Sequence, residues 1–319
     1  MREDYSDKSS ENLILSVVVP VTRMAGKLHN LDSWLAHVND YPIQVIIVHD
    51  IQDSRTSVEL DLLLDKICSD KISLIEGEFN SPGLARNEGI LHAIGAWIAF
   101  WDSDDVPHLA EVFKAISSAP PGICTLICRF QVVSNETKSV KWEAPKFGES
   151  DNSAVIAAFP GLWRMIFRRD IIGKTRFREF HMAEDQIFII EGNFFGGYIA
   201  FIDRIIYSYY IGVPGQLTSH KEKISALPYV ISEIIALDRK HWSLLDLRLI
   251  ARIILTAVAK GDSGTTRKTI RLIPRIVNTL GSKNSALVGQ FQMEQLINGI
   301  LILIKIGSGK IANAFKFTR

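Results

Sequence analysis

Three carboxylates fall within four residues at Asp102-Ser-Asp-Asp105, directly after the apolar run Trp97-Ile-Ala-Phe-Trp101. A short apolar run bounded by polar residues reads as a buried strand. Acids at the carboxyl end of such a strand stand where open α/β sheets bind ligands. Asp102 and Asp104 are two apart, so a strand continuing through them would turn both to one face. Two carboxylates on one face suit a hard cation such as Mg²⁺ or Mn²⁺, which takes oxygen ligands and keeps positions for water and substrate phosphates. The plainer reading is a solvated turn leading into a helix, whose N-terminus favours acids. Three more features sit at expected strand ends or helix starts: Asp50, Arg86 and the pair Glu184-Asp185. In a parallel sheet the carboxyl ends of the strands share one edge, so these groups can line one cleft. A cation site, an arginine and a further carboxylate suit a phosphorylated substrate, a metal and a base for an incoming nucleophile.

The elements that position these residues follow from periodicity. Leu13 to Val19 is a β-branched run closed by Pro20, and Ile43 to Val48 is a second strand ending in His49-Asp50. Ile72 to Ile75 is a third strand, and Trp97 to Trp101 a fourth. Helical spacing fills the gaps at residues 27–39, 56–68 and 84–94. Strands alternating with helices predict βαβ units, a mostly parallel sheet and right-handed crossovers. After Asp105 the rhythm changes: a helix over 107–117, strands at 125–133 and 139–142 that suggest an antiparallel addition, a short strand at 165–167, and one or two strands over 198–210. Residues 143–158 read as a connection, and Ala183 to Ile190 as a helix with acids in its first turn. From 224 onward the pattern is helical. The expected division is therefore a frayed start over 1–12, an α/β domain over 13–222 and a helical region over 223–319.

Bulk properties narrow the class. The chain has 319 residues and a net charge of +1, from 36 basic and 35 acidic side chains. That balance gives no electrostatic case for nucleic acid. Cys68, Cys124 and Cys128 are too few and too unpatterned for a disulfide framework or a zinc site, and read as buried thiols in a reducing, cytoplasmic compartment. Residues 1–12 are polar and charged, so no signal peptide is expected. The apolar tract from Leu296 to Ile306 falls short of the roughly 20 residues that span a bilayer.

Taken together, the segments resemble a family-two glycosyltransferase of the GT-A fold, a Rossmann-like α/β sheet flanked by helices. Ser16-Val-Val-Val-Pro20 is similar to the family's first strand, and Val48-His-Asp-Ile-Gln52 to its Val-Asp-Asp-Gly-Ser element. Pro82-Gly-Leu-Ala-Arg-Asn-Glu-Gly89 is similar to its Ala-Arg-Asn region, and Ile98 to Asp105 to the strand ending in its Asp-x-Asp motif. Glu184-Asp185 resembles its acceptor-side pair, with Leu162 to Arg169 before it and Gly215 to Ser219 after it. The resemblance covers about residues 13–220. It implies an inverting transfer of one sugar from a nucleotide-diphosphate sugar, UDP-linked on this reading, to a hydroxyl of a glycan or lipid-linked acceptor in surface polysaccharide synthesis. It implies that Pro20, Val21, Asp50, Arg86, Asp102 and Ser103 hold the donor and that Asp104, with Asp102, binds Mn²⁺ or Mg²⁺. By the same resemblance Asp185 is the general base, with Glu184 and Trp163 on the acceptor side. Partial burial would raise the Asp185 pKa toward the range of an effective base.

Departures from the pattern bear on the donor. Val21-Thr-Arg23 stands where the family has Thr-Tyr-Asn, and His49 stands for the first Asp of its Asp-Asp pair. These leave a non-catalytic scaffold of the same fold as the alternative. The absence of a Gln-x-x-Arg-Trp motif after Glu184-Asp185 favours single-sugar transfer over processive synthesis. A nucleotidyltransferase would need a Gly-rich phosphate loop after the first strand, and Pro20 to Lys27 supplies none. His220 is read as a solvated loop residue, with a metal ligand as the other option. The C-terminal helices are open to three uses: covering the core, self-association, or peripheral contact with an anionic membrane face, for which Lys305, Lys310, Lys316 and Arg319 supply charge.

Overall fold

The computed structural model describes residues 13–149, 151–180, 182–214, 221–238 and 242–283. In order the elements are β1 (Leu15–Val21), α1 (His29–Leu35), β2 (Ile43–Asp50), α2 (Ser54–Ile67), β3 (Ile72–Gly77), α3 (Pro82–His92), β4 (Trp97–Phe100), β5 (Val106–Pro107), α4 (Leu109–Ser117), β6 (Thr125–Ser134) and β7 (Val140–Glu143). There follow α5 (Asn152–Ala158), β8 (Met165–Arg168), α6 (Arg169–Ile172), α7 (Glu184–Glu191), β9 (Ile199–Ile211), α8 (Leu227–Ala236), α9 (Leu244–Lys260) and α10 (Ser263–Lys283). They divide into two compact units. The first takes the described residues of 1–150, 161–179 and 197–216; the second takes those of 151–160, 180–196 and 217–319.

The first unit is built on one mixed sheet. Strands β3, β2, β1 and β4 lie side by side and all parallel. β1 is buried along nearly its whole length, as near-continuous apolar strands are when both faces of a parallel sheet are covered. Helix α3 packs on β1 and β2. A Cβ at Gly89 would stand 2.2 Å from Val18 Cγ1, so the absence of a side chain there sets how closely the helix approaches the sheet. Beyond β4 the sheet becomes mixed, with the antiparallel addition expected after Asp105. β8 runs antiparallel to both β4 and β6, β7 pairs antiparallel with β6, and β5 with β9; only β6 and β9 are parallel. Sheet neighbours here are not joined by a single crossover helix, and parallel pairing no longer follows.

Two expectations change. The connection at 143–158 contains α5, started by Asp151, whose carboxylate accepts from the backbone N–H of Ser153 at 3.1 Å and of Ala154 at 3.3 Å. Of the three cysteines only Cys128 is buried; Cys68 is exposed and Cys124 half-buried. Burial pushes the Cys128 thiol up to about 12, so it is inert.

The second unit is helical. α10 packs on α8 and α9, α5 on α9, and α7 on α8. Helix α9 opens with a capping box: Ser243 Oγ accepts from the Asp246 N–H at 3.1 Å, and the Asp246 carboxylate accepts from the Ser243 N–H at 2.9 Å. This unit thus gathers α5 and α7 from earlier in the chain as well as the residues beyond the expected boundary near 222. Among the described residues no helix is long and apolar enough to cross a membrane. Residues 1–12, the loop 215–219, His220, the tract 296–306 and the basic tail lie outside the described residues.

Candidate active site

The carboxyl ends of β1 and β2 form the first part of the site. Strand β1 runs through Pro20 to Val21, two residues beyond the expected end at Val19. His49 is fully buried beneath that end, with Nδ1 3.0 Å from the Val21 carbonyl. The Asp50 carboxylate accepts two backbone N–H groups, from Gln52 at 3.2 Å and Asn80 at 3.0 Å. It therefore ties the loop before α2 to the loop before α3. Asp53, not singled out in the sequence, does similar work on the other side. It caps α2 and accepts from the N–H of Arg23, which sits in the left-handed region at φ 57°. Burial pushes the Asp53 carboxyl up, but hydrogen bonds from Thr56 and Arg23 outweigh this and hold it below its usual value. An Asp three residues before Thr at a helix start is a capping signal the sequence carries openly.

The acidic stretch is a turn, not a strand. β4 ends at Phe100, so Asp102 and Asp104 do not share a strand face, and the alternation argument fails for them. Contacts from distant parts of the chain shape the turn instead. Arg86, buried on α3, donates to Asp102 Oδ1 at 2.9 Å with its guanidinium 5.5 Å from the Phe177 ring centre. The Asp102 N–H donates to the Tyr207 hydroxyl oxygen at 3.0 Å. The buried Asn30 side chain donates to the Asp104 carbonyl. The Tyr210 N–H donates to Asp105 Oδ1 at 2.6 Å. Ser103 is buried within the turn. Asp105 is completely buried, and burial first, then the charges of Asp104 and Asp102, push its carboxyl well above the usual range. Burial, together with those same acids, also raises the Tyr207 hydroxyl well above its ordinary value.

Among the described residues no group of three or more His, Cys, Asp or Glu side chains is arranged to hold a metal ion unaided. The donor set still fits a hard cation that takes one or two carboxylate oxygens from the chain and fills its other positions with water and phosphate. Asp102 and Asp104, two residues apart in the turn, are the candidate ligands, and Arg86 fixes the first of them.

Trp163 stands beside this turn. Its ring stacks flat on Tyr207, with centres 5.0 Å apart, and on Tyr209 at 5.4 Å, and meets Phe130 edge-on at 4.5 Å. The neighbouring Arg164 is a core residue: fully buried, it donates from Nε to the Cys128 carbonyl at 2.8 Å and lies over Phe130. Burial pulls its guanidinium down to about 10. In the second unit, Glu184 and Asp185 occupy the first turn of α7. Asp185 Oδ1 accepts from the Gln186 N–H at 2.8 Å. Burial lowers the guanidinium of Arg252 on α9, and the Asp185 charge partly offsets this.

The structure thus brings Arg86, Asp102, Ser103, Asp104 and Trp163 together in the first unit, with Pro20, Val21 and Asp50 on neighbouring strand ends. Asn30, Asp105 and Tyr207 complete the turn and were not foreseen. Asp105 read as a third solvated acid, and nothing in the spacing links residue 207 to residue 102.

Comparison with known proteins agrees with this architecture. TarS from S. aureus (residues 1–349, in complex with UDP-GlcNAc) superposes with a TM-score of 0.61 at 15% identity, covering 92% of each chain. The mannosyltransferase PcManGT from Pyrobaculum calidifontis, in complex with GDP-Man and Mn²⁺, superposes with a TM-score of 0.52 at 13% identity, covering 95% of this chain and 90% of that one. At these identities the likeness establishes the fold, GT-A. EpsH of Bacillus subtilis (strain 168), whose name describes it as a glycosyltransferase, is 25% identical over 196 residues. That match spans 57% of this chain and only about half, 56%, of EpsH. The family described as Glycosyl transferase family 2 matches residues 16–182, just over half of the chain, from β1 through the acidic turn to two residues short of α7. By that match the chain belongs to glycosyl transferase family 2.

Proposed function

We propose that the protein is an inverting, metal-dependent glycosyltransferase that moves one sugar from a nucleotide-diphosphate sugar, with UDP the preferred nucleotide, to a hydroxyl of a glycan or lipid-linked acceptor. The observation that carries this reading is the turn after β4: Arg86 pairs with Asp102, and the backbone is pinned so that Asp104 is presented beside them. The UDP-GlcNAc complex of TarS and the GDP-Man and Mn²⁺ complex of PcManGT support it. Asp50, at the end of β2, takes the nucleotide base, and Pro20 and Val21 form the floor beside it. Asp104, with Asp102, holds Mn²⁺ or Mg²⁺. Bound there, the cation neutralises charge growing on the diphosphate leaving group. Arg86 holds the Asp102 carboxylate in its orientation. Asp185 removes the proton of the acceptor hydroxyl as that oxygen attacks the anomeric carbon, with Glu184 and Trp163 on the acceptor side. The acceptor is assigned to surface polysaccharide assembly, at the inner face of the cell membrane.

A panel of nucleotide sugars incubated with Mn²⁺ tests the reading through release of nucleoside diphosphate. Turnover of one donor, abolished by Asp104→Ala and lowered about 10²–10⁴-fold in kcat by Asp185→Asn, is the expected result. No turnover of any donor with a range of glycan acceptors would favour the scaffold reading.

A further inference from the structure

We infer that Tyr207 is the positioning residue that sets the geometry of the metal-binding turn, acting through its hydroxyl together with the buried Asp105. The inference rests on the donor-site reading above and deepens it. Tyr207 lies 105 residues beyond Asp102 in sequence, yet its hydroxyl oxygen accepts the Asp102 N–H at 3.0 Å. Both Tyr207 and Asp105 are fully buried. Having accepted one hydrogen bond, the hydroxyl retains a proton to donate. The Asp105 carboxylate lies close enough to that hydroxyl for its charge to act on it. Asp105 Oδ1 is taken by the Tyr210 N–H at 2.6 Å, whereas Oδ2 is buried without a hydrogen-bond partner. The phenol therefore sits between the backbone of the first acid of the turn and the side chain of the last.

The ring is itself locked. Trp163 stacks on it in nearly parallel planes, 10° apart, and Trp101 packs on it at 6.4 Å. Its strand, β9, is paired on one side with β6 and on the other with β5, which directly follows the turn. The hydroxyl thus cannot follow the turn if the turn shifts. Groups that orient a first ligand shell without touching the ion commonly set metal affinity. Here the oriented ligand is Asp104, held between Asp102 and Asp105. Arg86 fixes the Asp102 carboxylate from one side and Tyr207 fixes its backbone from the other.

The test is the Mn²⁺ concentration needed for half-maximal UDP binding, measured by calorimetry on the full chain, alongside the thermal melt. Tyr207→Phe keeps the ring and its stacking and removes only the hydroxyl. It should raise the Mn²⁺ requirement about 10–100-fold, with saturating UDP binding recovered at high Mn²⁺. A purely structural tyrosine would lower the melting temperature and leave the Mn²⁺ requirement of the folded fraction unchanged; that result overturns the inference. Should Tyr207→Phe fail to fold, the comparison passes to Asp105→Asn, and a wild-type Mn²⁺ requirement there overturns it equally. If wild-type protein binds no UDP at any Mn²⁺ concentration, it is the donor-site reading that has failed.

Discussion

Asp102 and Asp104 were legible because their signal is local: an apolar run ending in acids needs only a few residues to be seen. Their geometry was not. The strand stops at Phe100, and the turn is held by Arg86, Asn30, Tyr207 and Tyr210, which come from three other elements, α3, α1 and β9. Asp105 shows most clearly what sequence hides, because an acid read as solvated is the most deeply buried of the three. Its raised pKa has a consequence with a definite sign. A carboxyl whose folded pKa lies above its unfolded value adds stability below the unfolded value and loses it as pH rises through the folded one. The raised folded value therefore costs stability at neutral pH. Without divalent metal, Asp105→Asn should melt above wild type at pH 7–8, with the difference shrinking toward about pH 4, where the unfolded carboxyl also takes up its proton. A melt series showing the variant less stable than wild type at pH 7–8 would contradict the assignment. The same variant is expected to need more Mn²⁺, so stability and binding move in opposite directions.

At the scale of elements, the β1-to-β4 half followed directly from periodicity, because parallel strands buried on both faces and separated by helices repeat a strong pattern. The later half did not. β5 is two residues long, β9 is one unbroken strand of 13, and α5 lies inside a segment whose composition suggested a loop. Pairing partners such as β6 and β9 are far apart in sequence, and no local pattern specifies them. The packing of α3 on β1 offers the sharpest mechanical test. A methyl group at position 89 would collide with the Val18 side chain at 2.2 Å, so Gly89→Ala must push the helix outward. Overpacking of this kind costs about 1–3 kcal/mol, readable as a lower urea midpoint with an unchanged slope. Because Arg86 rides on the same helix, UDP affinity should fall with it. An unaltered midpoint would show that α3 yields more easily than its contact with Val18 implies.

For the whole molecule, the chain order of the motifs gave the family, whereas the division into units cut across that order. Helix α7, with Glu184 and Asp185, is grouped with the C-terminal helices, and a charge–charge relation with Arg252 ties Asp185 to α9. The sequence placed this pair by its likeness to a family motif, and no periodicity could have shown which unit holds it. The central claim is that the turn after β4 binds a nucleotide diphosphate through a divalent cation held by Asp104. The most direct measurement is a calorimetric titration of UDP into the wild-type chain and into Asp104→Ala, each with and without Mn²⁺. The account predicts binding by wild type that depends on Mn²⁺ and is lost in the variant. UDP binding of equal strength in both proteins, or none by wild type with Mn²⁺ present, would contradict it.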